Sequence, residues 1–337
     1  MKIIVDAFGG DNAPLEILKG SLEARDAFGV DILFCGDKEA IQACAAENNL
    51  DISGVEIKDA DGFIPVEEDP MKIRHQYKNC SLAVALRTLK DGEGDAVVSA
   101  GSTGAVVVGA TLFLKRIKGA KPALGVIMPH NEGNFMMIDG GGNTKVTPDA
   151  LHQFAMMGSI YMEKVMGIAN PRVGLANIGA EPNKGTDLQV EAYQIMKKAT
   201  EYNFIGNAEV RDIPFGGVDV VVADGFTGNI FLKTYEGVAM MLLKNIKNIF
   251  MKNTLSKLSY LGVKSGVGEL KGKLDYNAVG GAPLIGVQKP VIKAHGSSKA
   301  ETFKNAIRQA ISYADSGAIQ AITDNLPKRD AEEADHE

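Results

Sequence analysis

Six short turns in this sequence combine glycine with side chains that bind anions. Each turn follows an apolar segment with the composition of a β-strand and precedes a segment with the composition of a helix. The turns occupy residues 6–12, 99–104, 139–144, 177–186, 224–229 and 295–299. Glycine lets backbone N–H groups approach an anion closely, and a helix N-terminus adds partial positive charge. Six such turns on one edge of a sheet predict a site for a small anionic ligand, with phosphate as the leading candidate.

The residue types in these turns suggest separate roles. Lys184 is the preferred phosphate ligand, Asn229 could stabilise an oxyanion, and His295 could handle a proton. Lys293 has the same standing as Lys184, because either lysine could bind phosphate or lie at the surface. The other candidates for phosphate or substrate binding are Asp6, Gly10, Asn12, Gly101, Ser102, Thr103, Gly104, Asn143, Asn177, Gly185, Asp224, Thr227, Gly228 and Ser297. We expect one cleft to be lined by Ser102, Thr103, Lys184, Thr227, Asn229, His295 and Ser297.

None of these turns is a standard nucleotide-binding motif. The first turn lacks the GxGxxG pattern, which disfavours a dinucleotide site. Residues 179–186 resemble a P-loop, but the lysine and glycine are transposed, so the register that aims the lysine at a phosphate is lost. Four aspartates could hold a divalent metal, but aspartate in such turns more often caps a helix or orders the turn; they are Asp6, Asp11, Asp139 and Asp224. We therefore expect neither a cofactor nor a metal.

The elements that position these turns alternate along the chain. Short apolar or β-branched segments, such as 2–5 and 218–223, alternate with helical segments, such as 103–114 and 148–166. This alternation predicts parallel strands joined by right-handed crossovers, with helices covering both faces of the sheet. The sequence therefore predicts one doubly wound, three-layer α/β/α domain with a mostly parallel sheet over residues 1–326. An acidic tail follows over 327–337.

Composition and charge narrow the class of protein. The chain has 337 residues, of which 45% are hydrophobic and 23% charged, and these values exclude a disordered chain and a coiled coil. The net charge of −6 disfavours nucleic acid as a partner, because no overall positive field attracts its phosphates. The N-terminus does not resemble a signal peptide, and no apolar run is long enough to span a bilayer, so we expect a cytoplasmic protein.

One stretch of the chain has a net charge opposite in sign to that of the whole chain. Residues 244–273 contain seven lysines and one acid, a local charge of +6 that leaves −12 for the rest of the chain. Four glycines in this stretch argue against a continuous helix. The pattern predicts a helical arm over about 237–275 whose amphipathic, basic tip contacts a membrane or an acidic protein, although a solvated helix face would give the same pattern. The expected contact residues are Leu255, Lys257, Leu258, Leu261 and Lys264. The preceding long helix, 227–250, is expected to pair with its mate in a two-fold dimer.

Several motifs together resemble the bacterial phosphate acyltransferases of phospholipid synthesis. They run in family order from residue 5 to about 310, which is nearly the whole chain. The sequence departs from the family at Phe8 and Ser102, where methionine and asparagine are usual. The matching segments are 5–14 (VDAFGGDNAP), 99–105 (SAGSTGA), 177–179 with 184–185, 224–229 with 232–234, and 280–284 with 295–298.

The resemblance implies a homodimeric enzyme with a fold similar to the isocitrate/isopropylmalate dehydrogenases and phosphotransacetylases. The implied reaction converts acyl-acyl-carrier-protein and inorganic phosphate to acyl-phosphate and free carrier protein, without a cofactor. Further implied partners are an anionic membrane surface, to which the protein binds peripherally, and a membrane glycerol-phosphate acyltransferase. Two alternatives stay open: a phosphotransacetylase or butyryltransferase that acts on coenzyme A thioesters, and a non-enzymatic membrane-associated scaffold.

Overall fold

A single mixed sheet forms the centre of the molecule, with helices on both of its faces. The computed structural model describes residues 1–273 and 280–326, and within these ranges it has eleven strands and ten α-helices. The predicted tail over 327–337 and the last positions of the predicted arm, 274–275, lie outside the described residues. Along β1, Ile3 and Val5 join the core on one face and Ile4 joins the core on the other, as a strand covered on both sides requires.

The strands are β1 Lys2–Asp6, β2 Asp31–Gly36, β3 Glu56–Asp59, β4 Ala96–Ser99, β5 Ala123–His130, β6 Gly133–Ile138, β7 Arg172–Asn177, β8 Asn203–Glu209, β9 Val220–Val222, β10 Ala282–Ile285 and β11 Val291–Lys293. The helices are α1 Leu15–Phe28, α2 Lys38–Glu47, α3 Ser81–Lys90, α4 Thr103–Phe113, α5 Pro148–Lys164, α6 Asp187–Met196, α7 Gly225–Met251, α8 Thr254–Lys273, α9 Ala300–Asp315 and α10 Ala318–Asn325. Strands β8 and β10 were not expected from the sequence. The last two helices, α9 and α10, are divided at Gly317, whose φ of 69° ends the α-helical path.

The two halves of the sheet run in opposite directions. The strand order is β3-β2-β1-β4-β11-β10-β5-β6-β9-β7-β8. Strands β3, β2, β1, β4 and β11 are mutually parallel, as are β6, β9, β7 and β8. Antiparallel pairings of β10 with β11, β10 with β5, and β5 with β6 reverse the direction between these halves. The expectation that all six turns follow strands of one direction, and so share one carboxyl edge, is therefore wrong.

A lengthwise offset brings the two carboxyl edges together nevertheless. Ile138, the end of β6, pairs with Gly125 of β5, and the adjacent Leu124 pairs with β10 at Leu284. Two residues before Leu284, Ala282 pairs with Lys293, the end of β11. The strands of each half therefore end at nearly the same level, facing each other across β5 and β10. Turns from both halves meet in one place.

Helices α7 and α8 form the predicted arm as a helical hairpin. The prediction that glycines interrupt the arm is wrong, because α8 runs continuously from Thr254 to Lys273. Each glycine in the interior of a helix lowers its stability by about 1 kcal/mol relative to alanine. Glycine can still adopt the helical conformation, so these residues weaken α8 without interrupting it. Asn253 caps α8 by accepting a hydrogen bond from Ser256 N (2.8 Å), and the rings of Phe250 and Tyr260 pack at 5.3 Å across the hairpin. Among the helices within the described ranges, none combines the length and apolar content needed to span a membrane.

Candidate active site

A cleft of about 600 Å³ opens where the two half-sheets meet. The turns after β1, β4 and β11 line it from one half, and the turn after β6 lines it from the other. Strand β5, the segment before β10, the first turns of α7 and the loop around residues 66–70 complete the lining. The cleft therefore lies between the N-terminus of α4 and the side of α7 that carries Asn229, Leu232 and Lys233. The N-terminus of α4 favours an anion in this position.

Glycines in the turn after β1 allow three turns to pack tightly. A Cβ on Gly9 would lie 2.6 Å from the backbone N of Gly101, and a Cβ on Gly10 would lie 2.9 Å from the carbonyl oxygen of Gly296. Asp11 N donates to the same Gly296 oxygen (2.8 Å). Any side chain at Gly9 or Gly10 would prevent this close packing, so glycine at both positions is needed to form this wall of the cleft.

Asp6 lies beneath this wall and organises it. Its Oδ2 accepts a hydrogen bond from Ser99 Oγ (2.6 Å), and Ser99 Oγ accepts one from Gly101 N (3.0 Å). Burial raises the pKa of Asp6, and the hydroxyls of Ser81 and Ser99 oppose this shift. Asp6 therefore supports the turn after β4 from below, and it does not line the cleft.

Asp139 organises the turn after β6 in a similar way. Its Oδ1 accepts hydrogen bonds from the backbone N of Leu124 (3.0 Å), Gly141 (3.2 Å) and Gly142 (2.9 Å). Its Oδ2 accepts from both the backbone N and the side-chain Nδ2 of Asn143 (2.6 and 2.7 Å). Burial raises the pKa of Asp139, and these hydrogen bonds oppose the shift. Both oxygens of the Asp139 carboxylate accept hydrogen bonds from N–H groups in and beside this turn. Asp139 therefore orders the turn, which is one of the roles expected for it from the sequence.

The N-terminus of α7 packs directly on this turn. Asp224 caps the helix by accepting from Phe226 N (3.0 Å) and Thr227 N (2.9 Å), and Thr227 Oγ1 donates to its other oxygen (2.6 Å). A Cβ on Gly228 would lie 2.1 Å from the carbonyl oxygen of Asp139. This close approach brings Asn229 into the lining of the cleft, beside Gly141. Within the described residues, no group of three or more His, Cys, Asp or Glu side chains has the arrangement of a metal site.

Lys293 supplies a buried cation to the cleft. It ends β11, is only 9% exposed, and donates through Nζ to the carbonyl oxygen of Ala294. Among the residues with described side chains, no carboxylate forms an ion pair with it. The pKa of Lys293 is lowered to about 8, first by burial and then by the nearby charge of Lys233, while Asp11 opposes the shift. A buried ammonium without a paired carboxylate is an arrangement suited to an anionic ligand.

His295 lies beside Lys293 in the lining. Its Nδ1 lies 2.8 Å from Ser297 Oγ and accepts from Ser297 N at 3.3 Å. Burial, followed by the charges of Lys233 and Lys293, lowers the pKa of His295, so the neutral imidazole is favoured at pH 7. On α7, Lys233 pairs with Glu236 at 3.1 Å, and both residues line the cleft.

The structure brings part of the predicted site together. The predicted residues in the lining are Gly10, Gly101, Ser102, Thr103, Gly104, Asn229 and His295. The predicted residues outside it are Asp6, Asn12, Asn143, Asn177, Lys184, Gly185, Asp224, Thr227, Gly228 and Ser297. Of the seven residues expected to share one cleft, Lys184, Thr227 and Ser297 lie outside this lining. Several of the outer residues brace the turns: for example, Asn12 Nδ2 donates to the carbonyl oxygens of Ser297 and Ser298 (3.1 and 3.2 Å).

Lys184 occupies the exposed turn after β7. Asn177 Nδ2 donates to the Lys184 carbonyl oxygen (3.0 Å), which closes this turn. Strand β7 lies two positions from β6 in the sheet, a separation of roughly 10 Å. From the sequence, Lys184 is the preferred phosphate ligand and Lys293 has similar standing, whereas Lys233 is not among the candidates. The sequence signal that favours Lys293 is its position as a charged residue at the end of the otherwise apolar strand β11.

Solved structures share this fold. A phosphotransacetylase from Streptococcus pyogenes matches with a TM-score of 0.64 and 17% identity, covering 93% of this chain and 94% of that one. A phosphotransacetylase from Staphylococcus aureus gives 0.62 and 18%, with the same coverage. A 4-hydroxythreonine-4-phosphate dehydrogenase from Klebsiella pneumoniae gives 0.55 and 13%, covering 93% and 98%. The molecule is therefore a three-layer α/β protein of the type seen in these enzymes, and the predicted fold class is confirmed.

Sequence relatives identify the family. The family described as fatty acid synthesis protein matches residues 1–321. A phosphate acyltransferase from Desulfitobacterium hafniense is 44% identical over 330 residues, covering 97% of this chain and 98% of the relative. One from Clostridium acetobutylicum is 43% identical over 328 residues, covering 97% and 99%. The chain belongs to this family, so the resemblance to phosphate acyltransferases and the assignment as an acyltransferase enzyme are confirmed.

Proposed function

We propose that the protein transfers an acyl group from acyl-acyl-carrier-protein to inorganic phosphate and releases acyl-phosphate for membrane phospholipid synthesis. The observation that carries this proposal is the buried ammonium of Lys293 in a cleft built from glycine-rich turns and the N-terminus of α4. Such a cleft suits a phosphate dianion, and the family relatives are phosphate acyltransferases. The reaction needs no cofactor or metal, because phosphate is itself a competent nucleophile.

The chemistry follows from positioning and charge. Lys293 and the N-terminus of α4, at Ser102 and Thr103, hold the phosphate so that one oxygen faces the thioester carbonyl carbon. Attack forms a C–O bond and a tetrahedral oxyanion, which Asn229 and the turn amides stabilise. Collapse breaks the C–S bond, and the thiolate takes up the proton that the attacking hydrogen phosphate gives up. His295, beside Lys293, is positioned to relay that proton.

The direct test is phosphate-dependent consumption of acyl-acyl-carrier-protein thioester without nucleotide or metal. We expect turnover with carrier-protein thioesters to continue in the presence of a chelator. Turnover with coenzyme A thioesters alone would reassign the protein as a phosphotransacetylase. No turnover with either thioester would contradict the proposed activity.

Two lysine variants locate the phosphate. We expect Lys293→Met to raise the KM for phosphate by at least about tenfold, since a charge-assisted hydrogen bond contributes about 1.5–3 kcal/mol. Lys184→Met is expected to have the smaller effect, because Lys184 lies outside the cleft lining. The reverse order would move the phosphate site to the turn after β7 and return Lys184 to the role proposed for it from the sequence.

We also propose that the protein is a homodimer paired through α7. This helix has 27 residues, so it is about 40 Å long, which is more than a crossover between neighbouring strands needs. Large apolar side chains on it are exposed, among them Phe226 (62%), Ile230 (51%) and Met241 (53%). Burial of such a surface against a second copy would stabilise a two-fold dimer. Sedimentation velocity of the wild type and of Ile230→Glu tests this: we expect a dimer for the former and a monomer for the latter, and a monomeric wild type would contradict the proposal.

The tip of the arm is proposed to bind an anionic membrane surface, which makes the cytoplasmic protein peripherally membrane-associated. Leu255, Leu258 and Leu261 are 74%, 61% and 69% exposed, and Lys257 and Lys264 lie on the same helix. Apolar side chains can insert shallowly while each lysine contributes about 1 kcal/mol near anionic headgroups. This position would deliver acyl-phosphate to a membrane glycerol-phosphate acyltransferase.

The double variant Leu258→Glu/Leu261→Glu separates membrane binding from carrier-protein docking. If the tip binds membrane, sedimentation with anionic vesicles is lost while turnover in solution stays near the wild-type value. Ile205→Glu, at an exposed apolar position on β8, is the matched control and should still sediment. Unchanged sedimentation of the double variant, or collapse of its soluble turnover, would favour the tip as a carrier-protein site instead.

A further inference from the structure

The cleft has a charged region and a hydrocarbon region. Apart from Glu68, its ionisable residues come from the turns after β1 and β11 and from α7. The hydrocarbon region comprises Val126 on β5, Leu232 on α7, and Val66 and Pro70 in the loop beside α4. Phosphate alone does not account for the hydrocarbon region, because an inorganic anion has no apolar surface to bury.

The loop that carries Val66 and Pro70 is held against the cleft by specific contacts. A Cβ on Gly104, in the first turn of α4, would lie 2.6 Å from Pro70 Cγ, so this glycine lets the loop approach the helix. Glu68 Oε2 accepts hydrogen bonds from Lys72 Nζ (2.8 Å) and Tyr77 OH (3.3 Å). The carboxylate of Glu68 is thereby compensated within the loop, and the lining on this side presents mainly hydrocarbon.

The hydrocarbon surface extends beyond the cleft. Val66 is 65% exposed, and two further large apolar side chains of the same loop, Phe63 and Met71, are 55% and 51% exposed. On the floor, Val126 is half-buried and packs over Gly140, where a Cβ would lie 2.5 Å from Val126 Cγ2. Apolar side chains in the cleft and on the adjoining loop fit a linear alkyl chain whose reacting end lies at the charged region.

We infer that the acyl chain of the thioester lies along Val126, Leu232, Pro70 and Val66, and that Val126 and Val66 determine the preference for chain length. This inference rests on the proposed acyl transfer to phosphate. It assigns the carbonyl carbon to the end of the path near Lys293 and Asn229, and the methyl end to the exposed loop.

The test compares kcat/KM for butanoyl, octanoyl and hexadecanoyl thioesters on carrier protein. In the wild type, kcat/KM should rise with chain length by about fourfold per methylene that is buried, the factor equivalent to about 0.8 kcal/mol. Val66→Asp should lower the ratio of kcat/KM for hexadecanoyl to kcat/KM for butanoyl about tenfold. This factor corresponds to loss of the apolar contact between the Val66 side chain and the bound long chain. Val126→Phe should lower kcat/KM by a larger factor for the hexadecanoyl than for the butanoyl thioester, because the added ring narrows the path that only the longer chain follows to the loop.

Controls make each failure distinguishable. Val66 is largely exposed, so Val66→Asp should fold normally, and Ile205→Asp on distant β8 should leave the chain-length profile unchanged. If both cleft variants keep the wild-type profile, or lower kcat/KM equally for every chain length, the acyl path is refuted while the proposed function stands. Absence of phosphate-dependent turnover in the wild type at every chain length would instead refute the proposed function.

Discussion

Replacement of Lys293 by methionine should reduce activity and increase stability together. Burial lowers the pKa of this lysine from 10.5 to about 8, which corresponds to about 3 kcal/mol against the buried charged form. Below pH 8 the side chain is protonated in both the folded and the unfolded state, so the full penalty applies. As the pH rises from 8 to 10.5, the folded protein releases the proton first, and the penalty disappears.

The stability assay is urea unfolding across this pH range. At pH 7 and without phosphate, Lys293→Met should exceed the wild type in free energy of unfolding by up to about 3 kcal/mol, and the difference should shrink towards pH 10. Lys289→Met, an exposed lysine two residues before β11, is the matched control and should show no such trend. A destabilised Lys293→Met, or a difference that does not change with pH, would refute the assignment of Lys293 as a strained buried cation.

The activity assay uses the same proteins. Since Lys293→Met is expected to raise the KM for phosphate by at least about tenfold, its kcat/KM with respect to phosphate should fall by at least that factor. Phosphate should also raise the unfolding free energy of the wild type, through preferential binding to the folded state, and this increase should be smaller in the variant. A fully active Lys293→Met would remove the lysine from the site.

Three further predictions concern two helical glycines and the carboxylate of Asp139. Gly228→Ala should destabilise the protein by about 1–3 kcal/mol or more in urea unfolding, since its Cβ would meet the Asp139 carbonyl oxygen at 2.1 Å, and an unchanged midpoint would contradict this packing. Gly266→Ala, in the interior of α8 with open space around it, should instead stabilise by about 0.5–1 kcal/mol, which thermal unfolding would detect. Asp139→Asn should cost about 2–4 kcal/mol and most of the turnover, because an amide nitrogen replaces one acceptor of the turn's N–H groups; normal stability and kinetics would refute its organising role.

The sequence predicted the alternating elements well because their signals are local. Apolar segments such as Val220–Val222 and N-cap residues such as Asp224 mark strand and helix boundaries directly. Strand β10, with the sequence Ala-Pro-Leu-Ile, has no such signal, since its formation depends on pairing with the distant β5 and with β11. Missing this strand hid the reversal of direction between the two halves of the sheet.

The site was predictable as a set of turns and less so as a set of side chains. Glycines that permit close approach, such as Gly10 and Gly228, are recognisable because few other roles require them in these positions. Whether a polar side chain faces the cleft or braces a turn depends on the offset between the half-sheets, which no local pattern encodes. Thus Asn229 lines the cleft, whereas Asn143 is hydrogen-bonded to Asp139 and to the Pro122 carbonyl oxygen.

The most direct measurement of the proposed reaction is product analysis after incubation with acyl-acyl-carrier-protein and phosphate labelled with heavy oxygen. Attack by phosphate on the thioester carbonyl predicts acyl-phosphate that retains every labelled oxygen of the phosphate, formed in equal amount to the free carrier-protein thiol. Release of unlabelled free fatty acid without acyl-phosphate at any time would mean that water, not phosphate, is the acceptor, and would contradict the proposed function.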